Sequence, residues 1–231
     1  MANQVESKIE DFAFDYLKNY YSQQYATGNI LVGQNEKTKR GNTADGMLAF
    51  KKPTGEAFLA NISMQQSSSL VGMLINYKKN GLGKLRLLTP LVLAMLCFAL
   101  GKTTGNVLVM LIAPIVVAPL GFMLHTYLLK KYRYRQLETL LNTVKQAPAD
   151  EQWIGLSISS LVLRNNTLAK TLLEMCQQKG LGLITVGKRS KIVLLQRPQN
   201  KVSRRSDYLS YYTSEATIRR ALNEDHVLRV A

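Results

Sequence analysis

The sequence predicts an α/β chain in which a mixed sheet flanked by helices is interrupted by a transmembrane helical hairpin. Three observations carry that prediction. Residues 5–64 read as a helix followed by three short strands. Residues 85–129 form an apolar block folded back through Gly101-Lys102-Thr103-Thr104-Gly105-Asn106. Residues 153–195 read as strand, helix, strand and strand. The expected organisation is a first half-domain over residues 1–81, a hairpin over 82–130, a second half-domain over 131–198 and a basic tail over 199–231.

In residues 5–21, Val5, Ile9, Phe12, Phe14, Tyr16, Leu17 and Tyr20 recur mostly at three- and four-residue intervals, with Glu6, Glu10, Asp11 and Lys18 largely between them. That spacing is an amphipathic helix facing a core. Residues 1–25 lack a basic start followed by an apolar run, so no cleavable signal is expected there. Gly28 breaks the pattern, residues 30–33 read as a strand, and the polar run 34–43 reads as an exposed loop. Residues 47–50 and 56–64 are further strands joined by the turn chemistry of Lys51-Lys52-Pro53-Thr54-Gly55, which makes an antiparallel meander. Ser67 to Ser69 can cap a helix over 70–79 that Asn80-Gly81 closes.

Neither residues 87–100 nor residues 107–129 carry a charge. The second arm has 23 residues and at ~1.5 Å per residue is long enough for ~30 Å of hydrocarbon. The first arm reaches that length if it begins near Leu82, which sets Lys84 and Arg86 at the membrane surface. A buried hairpin in a soluble core is the competing reading. It would show polar residues at helical spacing, and residues 107–129 have almost none. Lys84, Arg86, Lys130, Lys131, Arg133 and Arg135 flank the hairpin, with Lys78 and Lys79 just before them, against a lone Lys102 in the turn. The positive-inside tendency then places both termini in the cytoplasm and the protein in the inner, cytoplasmic membrane.

Residues 130–145 continue the second arm as a helix that Pro148 ends. A buried strand over 153–158, a helix over 168–178 stopped by Gly180, and strands over 181–186 and 192–195 follow; strand, helix, strand favours a parallel pair with a crossover helix. The tail holds Lys201, Arg204, Arg205, Tyr208, Tyr211 and Tyr212 and reads as a weakly ordered arm with one helix over 215–222. Aromatics interleaved with arginines can stack on bases, but such a tail more often packs on its own domain or on a partner subunit.

The net charge of +15 is uneven, with 11 basic and 7 acidic residues up to Arg86 and 18 basic against 8 acidic from Lys130 onward. Attraction to anionic lipid accounts for it, and so does attraction to nucleic acid, which is the less favoured partner. Cys97 lies in the first arm and Cys176 in a soluble helix, and no CxxC or Cys/His set exists, so neither a disulfide nor a metal site is expected. With His125 in the hairpin and His226 in the tail, there is no Ser/His/Asp set.

The order of elements, together with Thr43-Ala44-Asp45-Gly46-Met47-Leu48, residues 58–63 and residues 168–198, resembles the restriction-endonuclease-like, PD-(D/E)xK fold. The stretch Gln177-Gln178-Lys179-Gly180-Leu181-Gly182-Leu183-Ile184-Thr185-Val186 looks like the helix and strand near the end of its Mrr-like members. The resemblance implies an acid on the second strand and an acid-x-lysine on the third, which hold Mg²⁺ and orient the attacking water. Asp45 matches the first acid. On the third strand the acid and lysine positions fall on Ala60 and Ile62, and a register shifted by one puts Asn61 and Ser63 on the shared face; neither supplies a carboxylate or an ammonium. Glu56, Lys51, Lys52, Gln65 and Gln66 are the residues from which a migrated metal site would be built.

Three function classes follow. The expected one is a non-catalytic, membrane-anchored subunit of a larger membrane complex, with the bilayer, other subunits and further copies of itself as partners and with no cofactor. A membrane-tethered nuclease would need Asp45 and Mg²⁺. A membrane-permeabilising effector would need a polar lining in the hairpin.

Overall fold

The computed structural model describes residues 2–187, 191–199 and 207–223. The elements are α1 (Ala2–Tyr25), β1 (Leu31–Lys37), β2 (Thr43–Lys51), β3 (Ala57–Ser63), α2 (Gln65–Asn80), α3 (Leu88–Thr104), α4 (Val107–Val144), β4 (Glu151–Leu156), α5 (Ser160–Leu163), α6 (Thr167–Lys179), β5 (Gly182–Val186), β6 (Ile192–Gln196) and α7 (Glu215–Asn223). Short 3₁₀ turns cover Lys84–Leu87 and Tyr208–Tyr211. The chain divides into two compact units: Met1–Leu74 with Thr139–Ala231, and Ile75–Glu138.

The first unit is built on a six-stranded mixed sheet in the order β1-β2-β3-β4-β5-β6. β1, β2 and β3 form the expected antiparallel meander, β3, β4 and β5 run parallel, and β6 returns antiparallel to β5. A parallel neighbour needs a crossover, and α6 supplies it between β4 and β5. Asn166 caps α6, accepting the Leu168 and Ala169 amides on its Oδ1 while its Nδ2 donates to the Leu74 carbonyl at 3.0 Å.

The two-residue period of a strand sorts the core onto two faces. Leu48 and Phe50 of β2 and Phe58, Ala60 and Ile62 of β3 pack with Phe14, Leu17 and Tyr21 of α1, and with Trp153 of β4. Met47, Ala49 and Leu59 point the other way, onto Leu209, Tyr212, Ile218 and Leu222. Gly46 is required by the first face: a Cβ there would sit 2.1 Å from Cε1 of Phe14. Under α1 the Tyr21 hydroxyl donates to Glu151 Oε2 at 2.5 Å and accepts from Trp153 Nε1 at 2.6 Å. Burial first, then the nearby Tyr21 and Asp150, set the Glu151 carboxyl: burial pushes it up, the Tyr21 hydrogen bond opposes that, and Asp150 adds to it.

Three expectations are corrected. Residues 34–37 are the second half of β1 rather than loop, because β1 is the edge strand and its polar side chains keep their water while the backbone pairs with β2 from Leu31↔Ala49 to Lys37↔Thr43. The described part of the tail, residues 207–223, is not a weakly ordered arm: Leu209, Tyr212, Ile218 and Leu222 are buried in the second face of the core, and Thr38 bridges to Tyr212. Residues 101–104 are helical, and the reversal is confined to Gly105 and Asn106, with Gly105 at φ +65°.

The second unit contains α3 and most of α4. The two helices run antiparallel and meet at a few points: Thr89 Oγ1 lies 2.6 Å from His125 Nδ1, and the guanidinium of Arg86, in the turn before α3, is 5.6 Å from the Phe122 ring centre. A Cβ on Gly121 would meet Leu93, and one on Gly101 would lie 2.6 Å from the backbone of Met110. Gly101 is thus glycine because the helices nearly touch there. α4 is one continuous helix of 38 residues through Pro114 and Pro119.

Candidate functional site

Asp45 stands near the start of β2, and Asn61 and Ser63 near the end of β3. The pairing Gly46↔Ile62 and Met47↔Asn61, continued by one residue, sets Ser63 opposite Asp45. These residues line a cleft of about 250 Å³ whose other wall includes Asn42, Thr143 and Gln146. The Asp45 Oδ2 accepts from the Ser63 hydroxyl at 3.1 Å and from the Met64 backbone N–H at 2.8 Å, so this carboxylate ties β2 to the chain leaving β3.

Of the two registers that the sequence leaves open on β3, the one that shares a face with Asp45 is Asn61 and Ser63. Ala60 and Ile62, at 0% and 1% exposure, point into the α1 face of the core and are packing residues, which corrects the alignment that placed the acid and lysine positions on them. Asn61 is also buried. Its Nδ2 donates to the Tyr212 hydroxyl at 2.5 Å, and that hydroxyl donates to the Pro148 carbonyl at 3.0 Å. The Asn61 Oδ1 has no hydrogen-bond partner among the described residues. Burial pushes the Tyr212 hydroxyl up to about 12, so it stays a neutral donor.

The residues from which a migrated site would be built do not gather here. Lys51 closes β2 about 20 Å from Asp45 along the strand, with its Nζ donating to Asn223 Oδ1 at 2.7 Å. Lys52 lies with its Nζ 4.5 Å from the centre of the Phe58 ring, and Glu56 is in the exposed turn beside it. The side chains of Gln65 and Gln66 lie outside the described residues. Among the described residues no three His, Cys, Asp or Glu side chains come close enough together to share a metal ion.

Tyr212 is withdrawn from the residues proposed to contact nucleic acid or a partner: it is 0% exposed, and its ring and hydroxyl are committed to the core. Tyr211 is 40% exposed and Tyr208 half-buried, and Arg204 and Arg205 lie outside the described residues. The network of Asn61, Tyr212 and Pro148 had no local signal, since Asn61 and Tyr212 are 151 positions apart.

In the second unit the exposed surface of the two helices is largely apolar. The best 18-residue window of α4 has a mean hydropathy of 2.6 and none of it is buried, which makes α4 long and apolar enough to cross a membrane. Leu96, Leu108, Ile115, Leu120 and Leu124 are each more than half exposed. Lys84 and Arg86 sit in the turn before α3, and Lys130, Lys131, Arg133 and Arg135 follow the apolar run on α4. Comparison with family models, with characterised proteins and with solved structures finds no match to the chain.

Proposed function

We propose that the chain is a non-catalytic, membrane-anchored module of a larger membrane complex. In this reading residues 82–130 are a transmembrane hairpin in the cytoplasmic membrane, both termini are cytoplasmic, and the sheet domain is a degenerate restriction-endonuclease-like fold that binds other subunits. The helix, meander, helix, strand order and the parallel β3, β4 pair support the fold assignment. The exposed apolar surface of α3 and α4, bracketed by Lys84, Arg86, Lys130, Lys131, Arg133 and Arg135 against Lys102 alone at the turn, supports the anchor and its orientation.

One observation carries the non-catalytic reading. Where a nuclease of this kind needs a second carboxylate and a lysine beside the first acid, the face shared with Asp45 offers Asn61 and Ser63. The serine and the Met64 amide turn the carboxylate to a structural use. An amide cannot supply the charge that holds Mg²⁺, and a hydroxyl cannot replace an ammonium beside an attacking water.

The experiment is metal-dependent cleavage of duplex and single-stranded DNA and of RNA by the detergent-purified chain with Mg²⁺ or Mn²⁺, beside Asp45→Asn, together with identification of the proteins that co-purify from native membranes. The expected result is no cleavage and a stoichiometric partner. Cleavage that disappears in Asp45→Asn overturns the reading in favour of a membrane-tethered nuclease.

A further inference from the structure

At the cationic end of the helical pair, the last turn of α2, the loop through Gly81 and Gly83, the 3₁₀ turn and the start of α3 enclose with Arg133 of α4 a hollow of about 720 Å³. Its lining is of two kinds. Lys79, Lys84 and Arg133 are its charged residues, and neither aspartate nor glutamate is among the described residues that line it. Leu87, Leu88 and Leu91, at 60%, 55% and 52% exposure, form an apolar wall that continues along α3 toward the uncharged run. Arg133 is half-buried and turned by a hydrogen bond from Nη1 to Gln136 Oε1 at 3.3 Å, while Lys79 and Lys84 are exposed.

Each simple ligand class leaves part of this surface unmatched. A soluble anion answers the cations and leaves three leucines wet. An apolar segment covers the leucines and leaves three like charges facing one another without a counter-ion. A molecule with an anionic head joined to a hydrocarbon chain satisfies both, in the order in which the lining presents them. Arginine's fork and two flexible ammonium groups are the donor set that suits a phosphate.

We propose that this hollow is a binding site for an anionic phospholipid. Lys79, Lys84 and Arg133 hold the headgroup phosphate, and Leu87, Leu88 and Leu91 take the first methylenes of an acyl chain. The proposal rests on the reading that α3 and α4 lie in a bilayer, where the ends of the apolar run meet the headgroup layer and basic pockets between helices bind acidic headgroups.

The test is native mass spectrometry of the detergent-purified full chain titrated with phosphatidylglycerol, phosphatidylcholine or glycerol phosphate. The charge-neutral triple variant Lys79→Gln, Lys84→Gln, Arg133→Gln is compared with Lys130→Gln, Lys131→Gln, Arg135→Gln, which removes the same charge outside the hollow. The expected result is retention of phosphatidylglycerol over phosphatidylcholine. Retention should weaken by roughly fivefold for each cation removed from the hollow and change little in the second variant. Equal losses in the two variants mean diffuse attraction and overturn the site, and displacement of the lipid by equimolar glycerol phosphate makes it a free-phosphate site and overturns it too. Alkaline extraction of the same proteins from membranes separates the two readings. A wild-type chain that stays in the pellet while phosphatidylglycerol selectivity is absent overturns the lipid site alone, and a chain that washes off overturns the anchor and the site with it.

Discussion

The two units are built from the same apolar residues put to opposite uses. In the sheet domain Leu48, Phe50, Leu59, Ile62 and Leu172 are at most 1% exposed; in the helical pair Leu96, Ile115, Met123 and Leu124 are between 54% and 72% exposed. Hydrophobicity alone does not tell these regions apart, but periodicity does. α1 has one apolar stripe and buries one side, while β2 alternates between two faces that are each covered by another part of the same unit. Residues 107–129 of α4 are apolar all round, with no polar side set aside for water. A helix that is apolar all round is one to be covered, by lipid or by protein.

Introducing charge into each region is the strongest way to oppose them. Ile62→Asp places an unpaired carboxylate under α1, costs about 4 kcal/mol or more and unfolds the sheet domain. Trp153 is the only tryptophan in the chain and is fully buried beside Tyr21, so loss of its native fluorescence reads the outcome directly. Ile115→Arg costs about 3 kcal/mol in membrane insertion and leaves the Trp153 unfolding midpoint in urea unchanged, because that side chain is 72% exposed. Gly46→Val comes next: its side chain enters the space of the Phe14 ring and lowers the sheet domain's stability by about 2 kcal/mol without altering membrane extraction.

The candidate cleft gives a smaller effect. Tyr212→Phe deprives the Asn61 amide of an acceptor and the Pro148 carbonyl of a donor, and destabilises by about 1–2 kcal/mol in the same urea titration. The smallest is a slope. Burial raises the Glu151 carboxyl above its ordinary 4.5, so the folded state holds this proton where the unfolded chain has released it. The resulting stabilisation is complete below that ordinary value and is lost as pH rises through the folded one. Glu151→Gln keeps an acceptor for Tyr21, and the urea midpoint measured from pH 4 to 7 should fall less steeply with pH in this variant than in the wild type.

Much of the architecture was legible because it rests on local period and punctuation. The turn at residues 51–55 and Gly180 at the end of α6 mark elements that the structure contains. Residues 34–37 were illegible because an edge strand with polar side chains has no alternation to read. The reversal was displaced because Gly101 looks like a turn residue, and only the approach of Met110 reveals it as a contact. Asp45 was visible as a lone acid, whereas which face of β3 it shares depends on the register, and Tyr212 enters that neighbourhood from the far end of the chain. The hollow below α3 was invisible as well, since Lys79, Lys84 and Arg133 come together only when the helices pair.

In the proposed function the helical pair crosses a bilayer with its turn outside. Lys102→Cys, in a chain whose Cys97 and Cys176 are replaced by alanine, puts a single thiol in the exposed last turn of α3, and Glu56→Cys puts one in the exposed turn of the sheet domain. A membrane-impermeant maleimide applied to intact cells should label the Lys102→Cys chain at once and the Glu56→Cys chain only after permeabilisation. Labelling of Lys102→Cys that also requires permeabilisation would place the turn with the sheet domain, and the hairpin would not span.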